Sequence, residues 1–78
     1  MSDELEWTEI RNEHHAHRDK AHYVIYPWFD GTWRVPIFKR FTDEPDQREQ
    51  KLGQYLATTL EDGKQIAQAL ADQRRWTW

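Results

Sequence analysis

A short turn between two strand-like segments constrains this chain more than any other feature. Residues 22–29 (HYVIYPWF) and 32–41 (TWRVPIFKRF) are dense in β-branched and aromatic side chains, which favour strands. Asp30-Gly31 separates them, and glycine accepts the positive φ of a tight turn at no steric cost. The sequence therefore predicts a β-hairpin over residues 22–41.

The two prolines of this hairpin favour a loop longer than two residues. Proline has no N–H to donate to a strand ladder. In a register whose paired residue numbers sum to 61, a two-residue loop places Pro27 and Pro36 at hydrogen-bonded positions, whereas a four-residue loop over 29–32 does not. We therefore expect the longer loop or a bulge. We also expect the prolines to block the addition of another strand at their own positions.

The same register divides the hairpin side chains between two faces. The face expected beneath a helix carries Val24, Tyr26, Trp28, Trp33, Val35 and Ile37. The reverse face carries Tyr23, Ile25, Phe29, Arg34, Phe38 and Arg40. This reverse face is too apolar for ordinary solvent exposure, so either another segment covers it or it binds a partner. The candidate covers are the N-terminal arm with Leu5 and Trp7, and the C-terminal residues Trp76 and Trp78.

One interpretation of the C-terminal half is a long helix. Apolar residues recur at helical spacing, and a helix over 45–75 fits them. Gly53, the β-branched pair Thr58-Thr59 and Gly63 oppose such a helix. Because the apolar spacing remains compatible with it, the long helix stays an open alternative.

The favoured interpretation makes residues 50–57 (QKLGQYLA) a third strand. Thr59 then caps a helix over about 60–74, with Asp62 three positions later in an arrangement like a capping box. The apolar stripe of that helix is Leu60, Gly63, Ile66, Ala67 and Leu70. These residues are mostly small, so the helix can lie close to a sheet.

These elements predict one α+β domain. We expect a three-stranded antiparallel sheet with one C-terminal helix packed on a face and a short N-terminal extension. Residues 1–20 form the extension with a polar, histidine-containing loop over 11–20, residues 21–75 form the ββ(β)α domain, and 76–78 form a tryptophan-containing tail. A length of 78 residues allows one small domain.

Composition excludes several classes of protein. The chain has no cysteine, so a disulfide framework and a cysteine zinc site are both excluded. No apolar run approaches the roughly 18 residues of a membrane span, and the acidic start MSDELEWTE is unlike a signal peptide. We therefore expect a soluble, cytoplasmic protein with no membrane partner.

The histidines and the acids do not form a recognisable catalytic or metal site. His14, His15 and His17 form HHAH, and His22 follows, but no carboxylate joins them at a known ligand spacing. The chain has no cysteine nucleophile and no phosphate-cradling glycine-rich loop, and its one serine is Ser2. We expect no enzyme activity, no metal and no cofactor.

The predicted order of elements resembles a known class of DNA-binding domain. The residues that carry the resemblance, within residues 22–72, are Gly31-Thr32-Trp33-Arg34-Val35, Leu52-Gly53-Gln54-Tyr55 and Thr59-Leu60-Glu61-Asp62-Gly63 with Ala67. The chain resembles the three-strand-plus-helix domains of the plant ethylene-response-factor type, and it is similar to the arm-type domains of tyrosine recombinases. The resemblance implies a sheet face that enters a major groove. Arg34 then matches a base-reading arginine, since a guanidinium can bond guanine bidentately.

The charges leave two functions open. The net charge of −3 argues against nonspecific nucleic-acid binding, whereas residues 14–42 carry five bases and two acids, net +3. We predict a small binding module, of the kind found among phage or bacterial accessory proteins, that binds double-stranded DNA or else docks on a partner protein. The tryptophans also allow a homodimer. The candidate binding residues are Tyr23, Phe29, Arg34, Phe38, Lys39 and Arg40.

Overall fold

The computed structural model describes residues 4–18, 20–40 and 49–73. It has an α+β fold in which an antiparallel sheet of five strands, in chain order, is covered on one face by a C-terminal helix. The elements are β1 (Thr8–Ile10), β2 (Glu13–Arg18), β3 (Ala21–Pro27), β4 (Trp33–Arg40), β5 (Glu49–Ala57) and α1 (Leu60–Asp72).

The sheet has two more strands than the sequence predicts, because the N-terminal extension forms a hairpin. Ile10 lies opposite Glu13, and the turn between them consists of Arg11 and Asn12. Both turn residues have positive φ, 51° and 70°. Two consecutive left-handed residues are typical of a type I′ turn, which matches the twist of the strands it joins. The prediction of a polar loop over 11–20 is therefore wrong.

Strand β2 joins this hairpin to the rest of the sheet. Its inward positions are His14 and Ala16, which are 9% and 1% exposed. Ala16 lies opposite Tyr23 of β3. Because one inward residue is a histidine and the other an alanine, β2 lacks the alternation of large apolar residues that identifies a strand in sequence.

Strands β3 and β4 pair one residue away from the predicted register. Tyr26 lies opposite Arg34, so the paired numbers sum to 60. The loop is closed by a hydrogen bond of 2.8 Å from Trp28 N–H to the Thr32 carbonyl, and by one of 3.2 Å from Gly31 N–H to the Trp28 carbonyl. Gly31 has φ +86°. This is a three-residue loop with a left-handed third residue; it is longer than two residues, as predicted, but shorter than four.

The changed register exchanges the side chains on the two faces of β3, because successive side chains of a strand point to opposite faces. Tyr23 and Ile25 lie in the core beneath α1, 1% and 0% exposed. The prediction that they belong to the reverse face is wrong, as is the prediction that Val24, Tyr26 and Trp28 lie under the helix. The side chains of β4 keep their predicted faces, with Trp33, Val35 and Ile37 towards the helix and Arg34 and Phe38 away from it.

Pro36 does not keep a neighbouring strand away, because β4 is an interior strand. It lies opposite Gln54 of β5, so a strand is added at its position and the block predicted there is wrong. The pairing of β2 with β3 ends at Ile25, before Pro27. A register shift lies between Ile37 and Phe38. Proline inside a sheet is tolerated near such irregularities, where the ladder is already interrupted.

The strand-and-helix interpretation of the C-terminal half is confirmed, and the long helix is excluded. Thr59 is the N-cap of α1, and its hydroxyl accepts a hydrogen bond of 3.0 Å from the backbone N–H of Asp62. This bond satisfies one of the N–H groups that the first helical turn leaves without an internal partner. The Asp62 carboxylate accepts from the hydroxyl of Thr58.

Small residues bring α1 close to the sheet. The helix buries Gly63, Ala67, Leu70 and Ala71. A Cβ atom on Gly63 would lie 3.1 Å from Cγ2 of Ile25, which is tighter than ordinary van der Waals contact. The largest fully buried side chains are Tyr23, Ile25, Val35 and Ile37.

The N-terminal arm packs beside α1 and not on the reverse face. Leu5 is 7% exposed, and its N–H donates to Oε1 of Gln68 at 2.8 Å. Trp7 packs against the same core. The arm therefore extends the cover that α1 provides. Trp76 and Trp78, the other predicted cover, lie outside the described residues. No helix in the described ranges is long and apolar enough to cross a membrane.

Candidate functional site

The face of the sheet opposite α1, called the open face below, is the candidate site. Residues paired across antiparallel strands share a face, so the register assigns its members. From β1 to β5 they are Thr8, Ile10, Glu13, His15, His17, His22, Val24, Tyr26, Arg34, Pro36, Phe38, Lys51, Gln54 and Leu56. No element in the described residues covers this face.

Exposed apolar side chains gather at one end of the molecule. Among the described residues, the exposed large apolar side chains are Ile10, Trp28, Phe29 and Leu56, at 52%, 41%, 96% and 56%. Trp28 and Phe29 lie in the loop that joins β3 to β4. Leu56 is near the end of β5, and Ile10 ends β1. All four therefore lie where β1, β3 and β5 end, which we call the hairpin end.

Ring contacts join Trp28 to three neighbours at the hairpin end, namely Tyr26, Phe29 and Arg34. The ring centroid of Trp28 lies 6.0 Å from that of Tyr26 and 5.2 Å from that of Phe29. The Arg34 guanidinium lies 4.9 Å from the Trp28 ring centroid, within the range of a cation–π contact. Leu56 is the cross-strand neighbour of Arg34, so the surface continues to the edge of the sheet.

The loop that carries Phe29 is held by its own polar side chains. Oδ1 of Asp30 accepts a 3.0 Å hydrogen bond from the N–H of Thr32 and a 2.5 Å bond from its hydroxyl. These two bonds, with the hydroxyl contributing most, hold the pKa of Asp30 below its ordinary value. The turn chemistry thus fixes the backbone on which Phe29 projects into solvent.

The other end of the open face carries stacked histidines. The His17 and His22 rings stack with centroids 4.2 Å apart, and those of His15 and His22 are 5.2 Å apart. Nδ1 of His15 lies 2.9 Å from Nε2 of His22, and Nε2 of His15 lies 3.1 Å from a Glu13 oxygen. Three of these histidines therefore lie on two paired strands, β2 and β3, and not in the polar loop that the sequence predicts over 11–20. In the part of the chain that the structure describes, no three His, Cys, Asp or Glu residues are placed to hold a metal ion.

The predicted binding residues do not all reach the open face. Arg34 lies on it, and Phe29 is joined to Arg34 through Trp28. Phe38 lies on it too, 5.9 Å from the His22 ring. Tyr23 is buried in the core.

The remaining two candidates are at the end of β4. Lys39 lies opposite the buried Ala21, which places it on the helix side of the sheet. Arg40 is the last residue of β4, and its side chain lies outside the described part of the structure.

Four residues of the hairpin end were not identified from the sequence, namely Ile10, Tyr26, Trp28 and Leu56. Two of them were assigned to the wrong face by the register. The same Phe29-Asp30-Gly31 stretch also fits a three-residue loop with glycine in its left-handed third position. That choice of loop would have placed Tyr26 and Trp28 on the open face.

The open face carries little net charge. Its charged members are Glu13, Arg34 and Lys51. Its other members, apart from the histidines, are apolar or neutral polar residues. The basic segment predicted from the sequence therefore does not produce a continuous positive strip in the described part of this face.

A groove lies at the edge of the sheet, next to the hairpin end. Its volume is about 390 Å³, and it runs between β5 and α1. It is lined by Leu56, Ala57, Thr58, Asp62, Gln65, Ile66 and Ala69. Leu56 belongs to both the groove and the open face, so the two surfaces are continuous.

The chain matches no protein-family model, no curated protein and no solved structure.

Proposed function

We propose that this protein is a small binding module that docks on a partner protein through the hairpin end of the open face. The observation that carries this proposal is the gathering of three exposed apolar residues, Trp28, Phe29 and Leu56, around Arg34 at one end of the molecule. Contiguous exposed apolar surface is unusual on a protein that stays monomeric and unbound, and it marks interaction sites.

The composition of the hairpin end suits a protein partner. Tryptophan, tyrosine and arginine dominate the binding energy of protein interfaces, and Tyr26, Trp28 and Arg34 are in contact or adjacent here. Arg34 is the charged group within this aromatic cluster. We therefore expect the partner to present an apolar surface with a carboxylate that reaches the Arg34 guanidinium.

DNA binding through the same face is a second candidate, because Arg34 lies there beside an exposed tryptophan. The width of the sheet argues against it. Strands lie about 4.8 Å apart, so five strands span about 19 Å between the outer two, and three strands span about 10 Å. A B-DNA major groove is about 12 Å wide. A three-stranded sheet is narrow enough to enter the groove, whereas β1 and β2 make the open face too wide to do so.

The proposal is tested by site-specific crosslinking followed by measured binding. A photoreactive residue at position 29 captures the partner in cells that express the protein, and the captured protein is then purified and titrated. Trp28→Ala and Leu56→Ser should each weaken binding at least tenfold, about 1.4 kcal/mol. Lys20→Ala, which changes an exposed residue at the opposite end of the sheet, is the control. Equal affinity of Trp28→Ala and the unchanged protein would contradict the proposal.

A parallel titration tests DNA. Mixed-sequence duplex is added at low salt, where phosphate contacts are strongest. We expect no saturable binding. Saturable binding that falls steeply with salt and weakens in Arg34→Ala would make DNA the ligand of this face.

A further inference from the structure

We propose that a second copy of this chain docks on the hairpin end, with Phe29 of each protomer inserted into the groove between β5 and α1 of its partner. The proposal rests on the proposed function in one respect, since it takes the hairpin end as a contact surface and names what contacts it. Two features of the molecule, a projecting ring and a groove, carry the argument.

Phe29 is the projecting feature. Its side chain is 96% exposed, and it stands at the apex of a loop that Asp30 and Thr32 hold in place. An aromatic side chain removes about 150–250 Å² of surface from water when it is buried. A fixed loop that presents such a ring loses little conformational entropy on docking.

The groove is the receiving feature, and it lies at the same end of the molecule. Its apolar side chains include Leu56, Ile66 and Ala69. Ala57, which also lines it, pairs with Trp33, the first residue after the loop. Because β3 and β5 are two strand spacings apart, Phe29 and the groove are separated by about 10 Å across the sheet.

A projection and a groove at the same end allow a closed dimer. A two-fold axis passing between them brings each Phe29 to the groove of the other protomer, so both contacts form at once.

The loop and the groove carry one pair of opposite charges, and the other charged residue of the loop, Asp30, is already held by Thr32 within its own protomer. Arg34 lies next to the loop through its contact with Trp28, and Asp62 lines the groove. When each loop approaches the other groove, the guanidinium of one protomer comes towards the carboxylate of its partner. Opposite charges in this reciprocal position favour the register in which Phe29 enters the groove.

The expected interface is small. One aromatic side chain and the matching groove wall amount to about 300–500 Å² for each protomer, below the roughly 800 Å² of a standard interface. We therefore expect a weak dimer, populated at protein concentrations of about 0.1–1 mM.

Analytical ultracentrifugation over about 10 µM to 1 mM tests the proposal. The unchanged protein should show a reversible monomer–dimer equilibrium. Phe29→Ser removes the projecting ring and Ala69→Glu places a charge in the groove; both positions are exposed, so the fold should persist. Each variant alone should remain monomeric. Lys20→Ala, which changes an exposed residue at the opposite end of the sheet, should dimerise like the unchanged protein.

A mixture of the two variants makes the test specific. Phe29→Ser keeps an intact groove and Ala69→Glu keeps an intact ring, so a mixed dimer recovers one of the two contacts. We expect the mixture to associate more weakly than the unchanged protein but more than either variant alone. Non-specific association of exposed apolar surface would not produce this complementation.

The outcomes separate this proposal from the proposed function. A monomeric unchanged protein at 1 mM, or a Phe29→Ser variant that dimerises like the unchanged protein, overturns the second-copy proposal. If that monomer still binds its partner protein through Trp28, the proposed function stands alone. Dimerisation with complementation supports the second copy, even where no other protein binds the hairpin end.

Discussion

At the scale of single residues, Asp30 shows how a local side chain holds the surface that projects Phe29. Its carboxylate accepts from the hydroxyl and the N–H of Thr32, and these bonds lower the pKa of Asp30 from 3.8. The pKa of Asp30 is lower in the folded protein than in the unfolded protein. The bonds to Asp30 therefore stabilise the fold at pH values above the unfolded-state pKa, and this stabilisation is lost as the pH falls through the folded-state pKa.

We therefore expect Thr32→Val to raise the pKa of Asp30 towards 3.8, since the hydrogen bond from the Thr32 hydroxyl is the main cause of the lowered pKa. The measurement is an NMR titration of the Asp30 carboxyl carbon in both proteins. The unchanged protein should also lose part of its thermal-stability advantage over Asp30→Asn below about pH 3.8. An identical Asp30 titration in the two proteins would show that Thr32 does not hold the carboxylate.

Gly63 is a second residue whose role depends on what lies opposite it. Helix propensity alone predicts that Gly63→Val is mildly stabilising, because glycine is the poorer helix former. Added atoms would instead press on Ile25, where even a Cβ lies 3.1 Å from Cγ2. We expect a loss of about 1–3 kcal/mol in the free energy of unfolding, measured by urea denaturation.

The matched control for this substitution is Gly53→Val. A Cβ at Gly53 meets no atom within 4 Å, and valine favours strands. That variant should be neutral or stabilising. Equal effects at the two glycines would contradict the close approach of α1 to the sheet.

At the scale of elements, the turn between β1 and β2 contains one residue, Arg11, that does not favour its conformation. Arg11 and Asn12 both have positive φ, where a side chain other than glycine or asparagine costs about 1–2 kcal/mol. Replacing the pair by Asn-Gly supplies the preferred residues of a type I′ turn. We expect stabilisation of about 1 kcal/mol, or about 4–8 °C in the melting temperature.

The control for the turn is Asn12→Val, since a β-branched residue is strained at positive φ. It should lower the melting temperature. If both variants have the melting temperature of the unchanged protein, residues 8–18 do not form the hairpin, and the five-stranded sheet is contradicted.

The β3–β4 hairpin shows a different limit at this scale. The sequence correctly predicts a turn at Asp30-Gly31 and two flanking strands, and it places Arg34 and Phe29 in the candidate site. It does not choose between loops of three and four residues, because Gly31 can supply positive φ in both. That choice moves Tyr26 and Trp28 from one face to the other, so half of the candidate site depends on one residue of register.

At the scale of the whole molecule, the N-terminal strands are part of the domain. Ala16 is 1% exposed and lies opposite Tyr23 beneath the helix side of the sheet. A charge buried there without a partner costs about 3–5 kcal/mol. A domain of this size is stable by only about 4–12 kcal/mol. Ala16→Glu should therefore unfold much of the protein or lower its urea midpoint strongly.

The control is Gln54→Glu, which adds the same charge at an exposed position of β5. Gln54→Glu should have the urea midpoint of the unchanged protein. If Ala16→Glu also has the urea midpoint of the unchanged protein, residues 1–20 are a separate extension, as the sequence predicts.

By itself the sequence determined the features that depend on a few neighbouring residues: the hairpin turn at Gly31, the third predicted strand and the start of α1 at its Thr59 cap. These follow from backbone preferences and short-range hydrogen bonds, which residues close in the chain satisfy among themselves. Only the tertiary structure decided the two added strands, the hairpin register and the face left open. Each of these depends on contacts between side chains that are distant in the chain, such as that of Ala16 with Tyr23 across the sheet. The residues next to each of them in the sequence do not determine such contacts.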